Sequence, residues 1–431
     1  MAKSTSKRQK PTVMDRISYL SDSLLCHILW FLTTKEAVVT SILSSRWKTL
    51  WTLVPKLDFD SHEFERISSS DEEQSLNEDY GNNRYRFTFT HIVTRAWAIR
   101  NLNNANPIKH FRLHWYSNDS DPIHAETWVR AALTPDLEVL DLLSGFSQRF
   151  NFSSTLLNYA KSLVVLKLKR IDVNLPSSSF GFPSLKTLLL HSVWYTKGDT
   201  FSELLSCCPV LQNLYLETYI PNYGNNFKII VPTLETLHLS LYFYLQRDCR
   251  LEINAPALKY LHFRAHIIED RPLRNKSLHL DPYFTECLCY ATELDLPMFH
   301  NLAFLYFKAG ACLWHVLPHL LHRAPNLAVL VFEKEYDESY VCEEEETSII
   351  KRMFNEVVPI CISSHLKTFH FIGFKGLTYE LEFVGHILKT ARFLKTMTIT
   401  PAYIDSDEKF RILKELLMLP RESRTCQIAF G

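Results

Sequence analysis

Five segments of this chain repeat one pattern: PDLEVLDL (135–142), PSLKTLLL (183–190), PVLQNLYL (209–216), PTLETLHL (232–239) and PALKYLHF (256–263). In each, a leucine follows the proline by two positions, and apolar residues stand three and five positions after that leucine. A sixth segment, Leu163-Leu166-Leu168, keeps the spacing without the proline. From Leu137 to Leu258 the first leucines are 26, 22, 26, 23 and 24 residues apart. A period this regular predicts a stack of similar structural units.

The period lies in the range of leucine-rich repeats. Each repeat predicts a short strand whose last two apolar residues point inward, and no repeat can bury that face without its neighbours. Helical spacing in 124–133 and 199–206 predicts helices in the return segments. The fold class is therefore α/β, a leucine-rich-repeat solenoid with a curved parallel sheet. Weaker repeats are expected at Ile108-Phe111-Leu113, Leu302-Leu305-Phe307, Leu327-Leu330-Phe332, Leu366-Phe369-Phe371 and Leu394-Met397-Ile399.

The residue between the two inward positions of each strand should point outward, on the concave face of the solenoid. Near the middle of the array these residues are aromatic rings or imidazoles instead of charges, a composition typical of interface cores. We therefore hypothesise a target-binding patch, against the alternative of an ordinary strand surface. Its members are Tyr215, His238, His262 and Tyr306.

The first fifty residues differ from the rest of the chain. A helical stripe runs through Leu20, Leu24, Ile28 and Phe31, and three more leucines lie beside it, at positions 25, 29 and 32. Ser21 is a plausible N-cap, and helices capped by Thr34 and Ser44 are expected to follow. Three helices in about forty residues bury little surface. Some of the stripe should therefore contact another protein.

The run DRISYLSDSLLCHILWFLTTKEAVVTSILSSRWKTLWTLVPKLDFD (15–60) closely resembles an F-box of a large plant family. Residues 366–430 resemble the FBD domain that accompanies this F-box, through LKT (366–368), GF (373–374), ELE (380–382) and TCQI (425–428). The resemblance covers nearly the whole chain. It implies an F-box at 11–58, a polar linker at 59–84, repeats at 85–355 and an FBD domain at 356–431.

Such a family implies a substrate-recognition adaptor of a Skp-cullin-F-box ubiquitin ligase. Its F-box docks on a Skp-type linker protein, which joins a cullin–RING ligase, while the repeats hold an unknown protein target. By position, the residues that form or support the docking surface are Leu20, Ser21, Leu24, Leu25, Ile28, Leu29, Leu32, Val39, Leu43, Trp47 and Trp51. The family usually has proline at Ser21 and Thr33 and glutamate at Ser23. The alternative is an interaction scaffold whose altered F-box recruits no ligase.

Composition excludes several other classes of function. Lys plus Arg and Asp plus Glu are both 47, so the chain has no net attraction to nucleic acid. The ten cysteines lack zinc-knuckle spacing, and no glycine-rich loop indicates a nucleotide site. His315, His319 and His322 have helical spacing, but Pro318 should interrupt that helix and no further ligand stands nearby. We expect no catalytic residue, metal or cofactor.

The first ten residues are polar and no stretch is long and apolar enough to span a bilayer. We therefore expect an intracellular protein, nuclear or cytoplasmic or both, that binds no membrane.

Overall fold

The structure is a computed structural model. It describes residues 17, 19–63, 89–103, 106–116, 122–145, 150–153, 161–174, 181–195, 200–219, 227–244, 251–268, 296–309, 316–334, 358–402 and 406–431. The chain forms two compact units, Met1–Leu137 and Glu138–Gly431. Much of the predicted polar linker lies outside the described residues, and so does His315. None of the helices in the described ranges is both long and apolar enough to cross a membrane.

The first unit begins with three short helices and continues with two strands and two helices. Strands β1 and β2 pair in parallel, with Leu57 opposite Phe111 and Phe59 opposite Leu113. All four side chains are buried. The weak repeat at Phe111 is therefore a real strand, and Leu57 and Phe59 form another that the pattern had not revealed. The elements are α1 (Asp22–Trp30), α2 (Thr34–Val39), a 3₁₀ turn (Thr40–Ile42), α3 (Trp47–Leu53), β1 (Lys56–Asp60), α4 (Phe89–Leu102), β2 (His110–Trp115) and α5 (Pro122–Ala132).

Two of the three expected helix caps differ from the structure. Ser21 caps α1 as expected, through its hydroxyl, which accepts from Leu24 N–H at 3.4 Å. The cap of α2 is Thr33, not Thr34, because Thr33 and Glu36 form a reciprocal capping box. The Thr34 hydroxyl instead accepts from the Asp58 N–H at 2.7 Å, and so ties α2 to β1. Helix α3 begins after Arg46 with no side-chain cap, so the prediction of Ser44 was also wrong.

The second unit is a stack of parallel strands with helices in its return segments. Its main sheet runs in the order β3-β5-β7-β9-β11-β13-β14-β15-β16-β17-β18. Short parallel strands in the return segments form two small sheets, β4-β6-β8 and β10-β12. The strands are β3 (Val139–Ser144), β4 (Phe150–Ser153), β5 (Val165–Lys169), β6 (Ile171–Asn174), β7 (Thr187–His191), β8 (Trp194–Tyr195), β9 (Asn213–Tyr219), β10 (Phe227–Ile230), β11 (Thr236–Tyr244), β12 (Leu251–Asn254), β13 (Tyr260–Ile268), β14 (Phe304–Ala309), β15 (Val329–Lys334), β16 (Thr368–Phe374), β17 (Thr396–Pro401) and β18 (Gln427–Phe430).

Five helices of this unit lie in the described return segments. The expected helices at 124–133 (α5, in the first unit) and 199–206 are both present. Pro318 does not interrupt its helix, contrary to expectation, because it lies in the first turn, where proline removes no intrahelical hydrogen bond. The helices are α6 (Thr200–Ser206), α7 (Val316–Arg323), α8 (Ile360–Ser364), α9 (Thr378–Thr390) and α10 (Ser406–Met418).

Two rows of apolar side chains cross the main sheet in register and form its core. From β3 to β17 no member of either row is more than 4% exposed. Helix α9 covers part of them, since the Phe383 ring lies 5.7 Å from those of Phe332 and Phe369. The weaker repeats of the sequence are therefore full members of the solenoid. One row is Leu140, Leu166, Leu188, Leu214, Leu237, Leu261, Leu305, Leu330, Phe369 and Met397, and the other is Leu142, Leu168, Leu190, Leu216, Leu239, Phe263, Phe307, Phe332, Phe371 and Ile399.

Candidate protein-interaction surfaces

The three N-terminal helices bury one side of their apolar stripe and expose the other. Leu25 and Leu29 on α1 and Trp47, Leu50 and Trp51 on α3 are buried. Four of the predicted docking residues (Leu25, Leu29, Trp47 and Trp51) thus lie inside the chain, where they hold the helices together. They can support a docking surface but cannot form its contact area.

Leu24 and Ile28 lie on the opposite side of α1 and are 52% and 46% exposed. Val39 and Leu43 in the next segment are also exposed, as is Ser21, whereas Leu20 and Leu32 are half-buried. The exposed members of this set thus recur from α1 to the end of the 3₁₀ turn, between residues that the helices bury. The selection from sequence missed several exposed neighbours, of which Phe31 had been visible as the last member of the helical stripe. The missed residues are Ile17, Tyr19, Phe31, Val38 and Ile42.

Polar contacts fix the positions of these helices. Arg46, before α3, donates from Nε to Asp22 Oδ1 at 2.8 Å and from Nη2 to the Leu20 carbonyl at 2.5 Å. Lys56 on β1 donates to the carbonyls of Trp30 and Leu32 at 3.3 and 3.1 Å, which satisfies the C-terminal end of α1. The exposed face is therefore presented by helices whose ends are tied down.

The C-terminal end of α3 is held by a buried arginine. Arg100 Nη1 donates to the carbonyls of Thr52 and Val54 at 2.6 and 2.7 Å. Burial lowers the pKa of the Arg100 guanidinium to about 10, so the side chain remains cationic at neutral pH. A buried cation at this position interacts favourably with the partial negative charge at the C-terminal end of the helix. Hydrogen bonds from α4 thus hold the end of α3 in place.

On the second unit, the four residues of the predicted target patch form a stacked ladder. Strand register places Tyr215, His238, His262 and Tyr306 side by side on adjacent strands. Their ring centroids are separated by 4.5, 5.1 and 4.2 Å along the ladder, with interplanar angles of 20°, 26° and 12°. All four side chains are half-buried. The predicted grouping is correct as geometry, and its role in binding stays a prediction.

Within the ladder the ring faces stack against one another. The ring edges are therefore the parts that a binding partner contacts. Burial lowers the pKa of His238, and burial with the nearby charges of His238, Arg264 and Lys308 lowers the pKa of His262 to about 4. Both imidazoles are therefore neutral at physiological pH. A neutral imidazole carries one donor and one acceptor, which suits hydrogen bonding to a polypeptide.

A charged row, absent from the predicted site, lies two residues further along the same strands. Arg264 is opposite Lys308, and Lys308 is opposite Glu333. The Lys308 ammonium is 2.6 Å from a Glu333 carboxylate oxygen, and the Tyr306 hydroxyl donates to the same carboxylate. The sequence indicated part of this row, since Arg264 and Lys308 stand two positions after the ladder residues His262 and Tyr306. On the other side, exposed Tyr260 lies opposite Phe304.

Within the described ranges, no group of three or more His, Cys, Asp or Glu side chains could hold a metal ion. His319 and His322 both lie on α7, at exposed positions.

Comparison with known proteins agrees with this architecture. Residues 101–340 match the At1g61320/AtMIF1 LRR domain, and residues 355–399 match the FBD family. The chain is 31% identical to the FBD-associated F-box protein At3g52670 of Arabidopsis thaliana, over 98% of this chain and 99% of that protein. The chain belongs to the FBD-associated F-box family. It is also 30% identical to the F-box/FBD/LRR-repeat protein At4g26340 of the same plant, over 97% of this chain and all of that protein.

Membership confirms the family that residues 15–60 and 366–430 had indicated. The names of the relatives are those of F-box, FBD and LRR-repeat proteins. An F-box/FBD/LRR chain of this kind points to an adaptor class of protein more than to an enzyme.

Proposed function

We propose that this chain is the substrate-recognition adaptor of a Skp-cullin-F-box ubiquitin ligase. In this proposal the N-terminal helices dock on a Skp-type linker, and the ring ladder of the second unit contacts the target protein. The chain itself supplies no catalytic group.

The observation that carries the proposal is the density of exposed apolar residues on the first helices. Of twenty exposed large hydrophobic residues in the described part of the chain, nine lie within residues 17–43. Exposed apolar patches of this kind mark interaction sites in soluble proteins. Because the underlying helices are held by Arg46, Lys56 and Arg100, the patch is formed before binding and loses little conformational entropy on docking.

The test is binding of a purified Skp-type linker to the full chain by calorimetry. The variant Leu24→Glu/Ile28→Glu removes two half-exposed apolar side chains, which together contribute about 2–3 kcal/mol at typical burial values. The dissociation constant should rise roughly 30- to 150-fold, and more if the carboxylates are desolvated. Ile230→Glu, at a similarly exposed apolar residue on β10, is the matched control and should bind as the parent does. Absence of linker binding by the parent chain would instead support the scaffold alternative, in which Ser21, Ser23 and Thr33 replace the residues usual in the family.

Target binding is tested separately, by proximity labelling in plant cells with the ligase blocked. Tyr215→Ala/Tyr306→Ala removes both ends of the ladder and should reduce labelling of the target while leaving linker binding unchanged. Unchanged labelling would rule out this patch. The control is Tyr260→Ala, which removes an exposed ring outside the ladder.

A further inference from the structure

The last strand of the main sheet breaks the pattern of core burial. Ile428 lies opposite Met397 and Phe430 opposite Ile399, so both continue the two inward rows. Every earlier member of those rows is buried, whereas Ile428 and Phe430 are half-exposed. Within the part of the chain that the structure describes, the core of the solenoid is therefore open on the side of β18 away from β17.

The backbone of β18 is open on the same side. The N–H of Gln427 and the N–H of Gly431 donate to carbonyls on the β17 side, at Lys395 and Ile399. Alternate residues of a parallel strand bond to opposite neighbours, so the backbone groups of Ile428 and Phe430 point to the outer edge. Within the described residues, no strand pairs with that edge. An open edge of this type is a template for another strand.

Helix α10 adds an apolar surface beside the open edge. Phe410, Leu417 and Met418 are 72%, 58% and 78% exposed, while Ile412 and Leu416 on the other side of the helix are buried. A right-handed crossover from β17 to β18 places α10 on the same face of the sheet as α9, the face of the inward rows. We call Phe410, Leu417, Met418, Ile428 and Phe430 the terminal surface.

We infer that the terminal surface binds a second copy of this chain across a twofold axis. An axis perpendicular to the sheet pairs β18 with the other β18 in antiparallel fashion and keeps both sets of inward residues on one face. Ile428 and Phe430 then meet their counterparts, and the two α10 helices lie together above them. A foreign extended strand would pair with the edge but would leave Phe410, Leu417 and Met418 uncovered.

The available area fits a modest dimer. At roughly 150–200 Å² for a large apolar side chain, the three α10 residues offer on the order of 400 Å². The two half-exposed core residues and the strand backbone bring the surface closer to the roughly 800 Å² per partner of a standard interface. A dimer that forms at micromolar concentration is expected, and it would give the ligase two linker-docking surfaces and two target sites.

Sedimentation velocity of the full chain between about 1 and 100 µM tests the inference. The measurement is made on the Leu24→Glu/Ile28→Glu background, so that association through the first helices does not contribute. A monomer–dimer equilibrium is expected, and Leu417→Glu/Met418→Glu should raise its dissociation constant at least tenfold. Phe410→Lys serves as an independent second variant, and Ile230→Glu is the control that should dimerise normally.

Hydrogen exchange identifies the surface directly. The amides of Ile428 and Phe430 should exchange more slowly as protein concentration increases, while those of β10 should not change. Two results would overturn the inference: a monomer at every concentration, which would leave the terminal surface to a different partner, or a dimer unaffected by all α10 variants. Linker binding is measured on the parent chain, so failure here is distinct from failure of the adaptor proposal.

Discussion

Substitution of Glu380 by alanine should destabilise the junction between the repeats and the FBD region. Glu380 lies on α9 with a fully buried side chain. Its Oε2 accepts from the backbone N–H groups of Lys375, Gly376 and Leu377 at 2.8, 2.9 and 3.2 Å. Its Oε1 is 3.4 Å from the ammonium of Lys334, which ends β15 and also donates to the Tyr379 hydroxyl.

The size of the effect follows from what the substitution leaves behind. Glu380→Ala removes the acceptor of three backbone donors and the carboxylate that lies 3.4 Å from the buried Lys334 ammonium. Breaking a buried ion pair from one side costs about 3–5 kcal/mol. Local opening of α9 and β15 should therefore become more frequent by two to more than three orders of magnitude.

Hydrogen exchange of the full chain, resolved to peptides, measures that opening. Amides of 375–390 and β15 should lose protection in Glu380→Ala and keep it in Glu382→Ala, where the glutamate is exposed on the same helix. Lys334→Met/Glu380→Leu removes both charges of the pair and should recover part of the loss, because neither charge is then buried without the other. A change below about 1 kcal/mol in Glu380→Ala would refute the reasoning that this carboxylate holds the junction.

Three further predictions concern other contacts. The pKa of His262 is about 4 in the folded protein and about 6.5 in the unfolded chain, so the unfolded chain binds the proton first as pH decreases. The free energy of unfolding should therefore fall between pH 6.5 and 4. His262→Phe should reduce that loss, as measured by denaturant titrations across this range. Ser21→Pro should change the free energy of unfolding by less than about 1 kcal/mol, because its φ of −66° suits proline and the two hydrogen bonds it loses, with the Ser23 hydroxyl and the Leu24 N–H, are solvent-exposed. A larger loss in urea titrations would contradict this. Arg100→Met should lower the free energy of unfolding by at least about 2 kcal/mol, and with it the melting temperature, because the buried carbonyls of Thr52 and Val54 lose their donor. The control is Arg95→Met, which alters an exposed arginine of the same helix.

The part of the fold that the sequence predicted follows from the periodic spacing of its apolar residues. The spacing of Leu137, Leu140 and Leu142 and of their counterparts located the inward rows, because strand residues alternate between two faces. The same alternation placed Tyr215, His238, His262 and Tyr306 on the other face, and the strand register confirmed that they are neighbours. The repeats at Leu57 and Ile428 were missed because neither has the leucine and proline that marked the central repeats.

Helix ends were less predictable. Thr33 and Thr34 are both good N-caps by residue type, and the choice depended on Glu36 reaching back to the Thr33 N–H and on Asp58 engaging Thr34. The second of these contacts joins residues 24 positions apart. Such competition is decided by tertiary structure and not by local preference.

The sequence by itself determined the repeat architecture, the family and the apolar composition of the first helices, because these follow from residue type and spacing along the chain. Only the tertiary structure decided which members of the apolar stripe remain available. Leu25 and Leu29 are buried and Leu24 and Ile28 exposed because α3 packs against one side of α1 alone. Likewise, the strand register places Phe430 in an inward row, yet it is half-exposed because burial in a solenoid depends on a neighbour on each side.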